Sequence, residues 1–203
     1  MSARFLMVSR FPVLPGKATA LIERLSNDDT RRTFISHDEN EILELRAFAD
    51  DLSLLELSSL VTPVAVEMAG LIAGDVRREL LNFVEAPKPT NKLIPDTKYV
   101  QLRHVEVRPE QMSAYRKWRE ETIFDVVRSN DEIEIFLAYH SVISGQPGVM
   151  FVSGFSCDPA DYDGVFTSDR YRGIVRQAGD SYITGGTQGL YTKIYREAMP
   201  LAA

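Results

Sequence analysis

The chain has 203 residues, 44% hydrophobic and 26% charged, the make-up of a folded water-soluble protein with one large domain or two small ones. Its net charge of −6 splits into −3 over residues 1–95 and −3 over 96–203, so neither half has the basic footprint of a nucleic-acid binder or the polybasic run of a membrane-surface protein. Its single cysteine, Cys157, excludes an intrachain disulfide; with no signal-peptide pattern and no apolar run of spanning length, the expected compartment is the cytoplasm.

Residues 4–13 are rich in Phe, Val, Leu and Met and stop at Pro15-Gly16, which predicts a strand and a break. Ala18, Leu21, Ile22 and Leu25 then recur at helical spacing. Two apolar runs, 41–48 and 52–61, surround Ala49-Asp50-Asp51 and read as a hairpin. Pro63 is expected to open a second helix, with Val64, Met68, Leu71, Ile72 and Val76 on one stripe. Leu80 to Val84 follow as a fourth strand.

Residues 86–97 are polar, hold three prolines and read as a linker. Beyond it the order recurs. Lys98–Val107 predicts a strand, and Met112, Tyr115, Trp118, Ile123, Val126 and Val127 mark a helix. Ile133–Ile143 and Val149–Phe155 flank the turn signal Ser144-Gly-Gln-Pro-Gly148. Asp158-Pro159 predicts an N-cap and first helical residue, ahead of Tyr162, Val165 and Phe166. Leu190–Arg196 alternates as a last strand.

The recurrence can be aligned. Arg4–Lys17 reappears as Lys98–Gln111 at an offset of 94 residues, and Asp75-Val-Arg-Arg faces Asp169-Arg-Tyr-Arg at the same offset. The expected fold is therefore α+β: two tandem ferredoxin-like β-α-β-β-α-β repeats. The first spans 1–86, a linker 87–97, and the second, with the ligand cavity, 98–203. Both faces of the first strand are apolar (Phe5, Met7 and Phe11 against Leu6 and Val8), so the two sheets are expected to pack sheet-to-sheet as an intrachain α/β barrel.

Val13-Leu-Pro-Gly16, Val107-Arg-Pro-Glu110 and Phe166-Thr-Ser-Asp-Arg-Tyr171 carry a resemblance to the dimeric α/β-barrel superfamily, in its antibiotic-biosynthesis-monooxygenase branch. Members of that branch usually form the barrel from two chains; this one resembles a fused tandem repeat. The resemblance implies a small-molecule enzyme acting on an aromatic or polyketide-like substrate by acid/base chemistry, a cofactor-independent monooxygenase or a cyclase. Some relatives on this fold bind haem through a histidine, which makes a haem-binding barrel the alternative cofactor reading. A non-enzymatic ligand-binding or stress-associated barrel is a further alternative.

The repeats differ in ways that point to the second one. It holds all eight tyrosines, the single tryptophan and nine of the twelve glycines. It also carries the insertion Gln177–Gly189, expected as a loop over the mouth of a site. His140 is the first candidate base, on a strand expected to face the barrel interior at Phe136, Ala138 and His140. Arg103 and His104 are candidate partners for a substrate anion. Tyr139, Tyr191, Phe136 and Arg10 are candidate substrate-binding residues. His140 or His104 would be the axial ligand of a haem. No metal site is expected, because neither a paired cysteine motif nor a His-x-x-x-His is present. The expected partner is a small-molecule substrate, with no nucleic acid and no membrane, and a homodimer remains open.

Overall fold

The computed structural model describes residues 2–25, 27–144 and 148–198, so the middle of the expected Ser144–Gly148 turn lies outside the described residues. The first half runs β1 (Phe5–Pro12), α1 (Ala18–Arg24), β2 (Arg31–Ser36), β3 (Glu41–Phe48), α2 (Leu54–Glu67) and β4 (Arg77–Lys88). The second runs β5 (Tyr99–Val105), α3 (Met112–Glu121), α4 (Ile123–Arg128), β6 (Ile135–Ile143), β7 (Val149–Phe155), α5 (Pro159–Thr167), α6 (Asp169–Ser181) and β8 (Leu190–Glu197).

One stretch departs from expectation. Residues 52–61 are not a strand but the front of α2, and the hairpin partner of β3 is β2 instead. A capping box decides this. The Ser53 hydroxyl accepts from the Glu56 amide at 3.2 Å, and the Glu56 carboxylate accepts from the Ser53 amide at 2.8 Å. The helix therefore starts before Pro63, which sits inside it rather than opening it.

Each half orders its strands alike, β4-β1-β3-β2 and β8-β5-β7-β6, with antiparallel neighbours. The halves meet at two seams. β2 pairs β8 from Phe34↔Glu197 to Ser36↔Tyr195, and β4 pairs β6 through a bulged ladder from Leu80↔Ile143 to Lys88↔Phe136. The two sheets thus become one closed eight-stranded barrel without a free edge.

The inside of the barrel is packed, not hollow. Leu6, Val8, Leu43, Leu45, Leu81, Leu102, Leu137, Val152 and Tyr195 form one apolar cluster there, drawn from both halves. Ile94, from the segment joining the halves, is buried in the same cluster. One end of the interior is polar: Arg10 donates to Glu79 at 3.1 Å, while Tyr195 and Lys193 donate to Glu41 at 2.6 and 3.0 Å. Outside the barrel, the second sheet packs Phe136, Ala138, Phe151 and Phe155 against α3–α6, and the first packs Phe11, Ile35 and Ile42 against Leu21, Leu25 and Met68. Each of these side chains larger than Ala138 contributes about 1.5–3 kcal/mol by leaving water. Among the described residues no helix is long and apolar enough to cross a membrane.

Candidate functional site

Alternation along β5 sorts its side chains. Val100 and Leu102 enter the barrel core, and His104 shares their phase. Gln101, Arg103 and Val105 turn outward beneath the helices, where they line a cavity of about 300 Å³. That volume is at the lower end of the range for small-molecule sites. Most of its wall is apolar, including Ile123 of α4, Phe151 of β7, and Ile174 and Ala178 of α6.

Arg103 is the cationic group of this wall, and its surroundings hold it still. Phe166, near the end of α5, lies 4.3 Å from the guanidinium carbon. Nη1 donates to the Tyr171 hydroxyl, and Nη2 donates to Gln101 Oε1 at 3.0 Å. Tyr162 donates to the same Gln101 oxygen at 3.1 Å, which fixes the amide. The two helices are placed by their caps. Asp158 accepts from the Ala160 amide at 2.8 Å ahead of α5, and Ser168 accepts from the Tyr171 amide at 3.3 Å between α5 and α6. The second cap starts α6 one residue after Ser168 and brings Tyr171 over Arg103.

Tyr115 of α3 adds a polar group to the wall. Its hydroxyl is buried near the Arg119 guanidinium and has no hydrogen bond of good geometry among the described residues. Burial pushes its pKa well up, against the pull of the Arg119 and Arg103 charges, so it stays protonated as a donor. Burial likewise raises Tyr171 and Tyr162, opposed in both by Arg103. Asp163, on the exposed side of α5, is the carboxylate of the lining. Part of the Gln177–Gly189 insertion belongs to this site as wall rather than loop. Residues 177–181 continue α6, and Ala178 and Ile183 line the cavity. Gly185 and Gly186 then turn the chain at φ of 74° and 61°, where a side chain would be strained.

Of the residues expected from sequence, Arg103 alone lines this cavity. His104 turns to the barrel side of β5, paired in register with Tyr191, and its Nε2 is buried without a partner. Arg10 and Tyr191 meet at the polar barrel end, 5.0 Å from guanidinium carbon to ring centre. The phase expected for β6 is reversed. Tyr139 points into the barrel and donates to the Ala3 carbonyl at 3.3 Å, whereas Phe136 and His140 face outward. Phe136 is core between Phe124 and Phe151, at 6.2 and 5.2 Å between ring centres. His140 lies near Arg119 and Arg116. Burial, followed by these charges, lowers its pKa. Gln101, Tyr115, Asp163, Phe166 and Tyr171 were not among the expected site residues. The crowding of tyrosines into the second half was the signal that pointed toward them.

A histidine-ligated haem does not fit this cavity. His104 and His140 lie elsewhere, and His37 is exposed in the β2–β3 turn. Among the described residues no group of three or more His, Cys, Asp or Glu side chains is placed to hold a metal ion.

No family model matches the chain, and no curated protein does. Solved structures do. An anthrone oxidase-like protein superposes with a TM-score of 0.70 at 10% identity, over 98% of this chain and 95% of that one. A ferredoxin-fold protein from Listeria monocytogenes, related to antibiotic biosynthesis monooxygenases, gives 0.56 at 5%, over 95% of each chain. A heme-degrading enzyme from the same species gives 0.57 at 5%, over 96% and 99%. At such identities the likeness is one of fold. This single polypeptide shares the ferredoxin-like barrel fold of these structures, among them one related to antibiotic biosynthesis monooxygenases.

Proposed function

We propose that the chain is a small-molecule enzyme of oxidase or monooxygenase type. It takes a flat, phenol- or enol-bearing aromatic substrate beneath α5 and α6 and stabilises the substrate's anion on Arg103. One observation carries this reading: a buried guanidinium, stacked on Phe166 and tied to Tyr171 and Gln101, in the wall of an otherwise apolar cavity. Such a charge is oriented before substrate arrives and is not softened by water, the arrangement that most favours a developing oxyanion. The Tyr115 hydroxyl would be a second donor to the same oxygen, and Asp163 would take the proton at the mouth. The apolar wall keeps water from the carbanion-like intermediate. Of the similar structures, the anthrone oxidase-like protein by its name supports oxidative chemistry on such a substrate.

Anthrone is a suitable probe. Anthrone and one O2, by way of the enolate and with its proton returned to the departing oxygen, give anthraquinone and one water; two hydrogens leave the ring carbon and one oxygen atom stays on it. Oxygen uptake should match quinone formation one to one, and Arg103→Met should lower kcat/KM by about 100-fold or more. Equal rates in wild type and Arg103→Met would refute the anion-binding role. Anthrone binding without oxygen uptake would remove the oxidative step.

A further inference from the structure

The register gives the β5 row of the candidate site a counterpart in the first half. On the second sheet Thr192, Arg103 and Phe151 lie abreast across β8, β5 and β7. On the first sheet the matching row is Arg78, Ser9 and Glu44 across β4, β1 and β3. The next row holds Leu80, Met7 and Arg46 and continues to Arg31 on β2. All these side chains share the outward phase, opposite to Leu6, Val8, Leu45 and Leu81 of the barrel core. Where the second half keeps an apolar cavity, the first half gathers three guanidinium groups beside one buried carboxylate.

The cluster is incompletely neutralised and incompletely bonded. Arg31 Nε lies 3.6 Å from Glu44 Oε1, the carboxylate side chain being 6% exposed. Among the described residues Arg31 Nε and Arg78 Nη2 are buried without a hydrogen-bond partner, and the fully buried Ser9 hydroxyl faces the Glu44 carboxylate. Arg31 and Arg46 are direct cross-strand partners, a placement in which like charges repel. Burial and then the Arg31 charge depress the Arg46 pKa against the Glu44 and Asp28 carboxylates, and burial raises that of Glu44 against the charges of Arg31, Arg46 and Arg78. The helical cover here is thin. α1 is short, and α2 joins the core near its C-terminal end, through Val64 and Met68, while Leu54 and Leu55 stand exposed. Facing guanidiniums that repel one another and leave donors unused are suited to an anion between them.

We propose that the outer face of the first sheet is a second ligand site, taking a phosphate-type oxyanion between Arg31, Arg46 and Arg78, with Ser9 as a hydroxyl donor. Guanidinium forks match the paired oxygens of such a group.

The test is calorimetric titration of the full chain with inorganic phosphate and with phenyl phosphate, at constant ionic strength held with chloride. Saturable binding is expected in wild type and in Arg103→Met, weakened about tenfold or more in Arg46→Met and Arg78→Met. Tighter binding of phenyl phosphate than of inorganic phosphate would identify a phosphate ester as the preferred form; the reverse would identify the free ion. Without phosphate, Arg46→Met should melt at or above the wild-type temperature, since a repulsion is removed. No saturable binding of either probe, or equal binding by Arg46→Met, would overturn the proposal. So would an Arg46→Met that melts well below wild type without phosphate, because Arg46 would then be a structural counter-ion of Glu44. Loss of binding in Arg103→Met alone would move the anion to the second-half cavity and end this proposal without touching the reading of that cavity.

Discussion

His140 faces the helices rather than the barrel interior. It is half-buried on the outer face of β6, near the fully buried Arg119, which is itself ion-paired with Glu85. Burial comes first and the Arg119 charge second in lowering its pKa, so the unfolded chain takes up a proton more readily than the folded one. The stability His140 contributes is complete above the ordinary histidine pKa and is lost as the pH falls through the depressed folded value. Melting temperature should therefore drop as pH falls below about 6.5, and His140→Gln should flatten that part of the curve relative to wild type. Parallel curves for the two proteins between about pH 7 and pH 5 would refute this account. The orientation of His140 was not legible because β6 is apolar on both faces. Ile135, Leu137 and Tyr139 serve one core, and Phe136 and Ala138 the other, so period two does not tell inside from outside. Arg103 was legible as an unusual strand charge. Its partners Gln101 and Tyr171 were not, because the helix that brings Tyr171 over it is 68 residues away in sequence.

Among the elements, α2 and α6 close corresponding positions in the two halves yet differ in how they are held. α6 buries Tyr171, Ile174 and Ala178 against its sheet, whereas α2 leaves Leu54, Leu55 and Val66 exposed. An element with so few buried side chains depends more on its own end interactions. Ser53→Ala removes the hydroxyl that accepts from the Glu56 amide and leaves only the backbone half of the capping box, a loss of about 1 kcal/mol. Amide exchange in the first turns of α2 should accelerate about fivefold, with only a few degrees lost from the global melting temperature. Unchanged exchange in α2 would show that its sheet contacts, not its cap, hold it. The same capping signature was readable beforehand in Ser53 and Glu56. The leucine-rich run that follows suits a strand as well as a helix, and it misled the assignment of 52–61. Where cap and proline agreed, at Asp158-Pro159, the helix start is where the sequence put it.

At the scale of the whole molecule, the aligned recurrence at offset 94 was enough to anticipate two like halves and a barrel, because duplicated apolar strands need duplicated cover. It could not show that the void would lie under the helices of one half while the barrel interior is filled, since both layers are equally apolar. The filled interior has its own consequence. Leu81 of the first half and Leu102 of the second are fully buried in one shared cluster, and the β2–β8 and β4–β6 seams leave neither sheet an edge of its own. Neither half can then unfold without exposing the core of the other, so urea should melt the chain in one cooperative step. Leu81→Ala and Leu102→Ala should each cost about 2–5 kcal/mol and shift that same step to lower urea, with little change in its slope. If either variant instead splits the transition in two, with one half melting while the other persists, the halves are separate folding units that merely touch. The shared core would then not be what holds the cavity helices over Arg103.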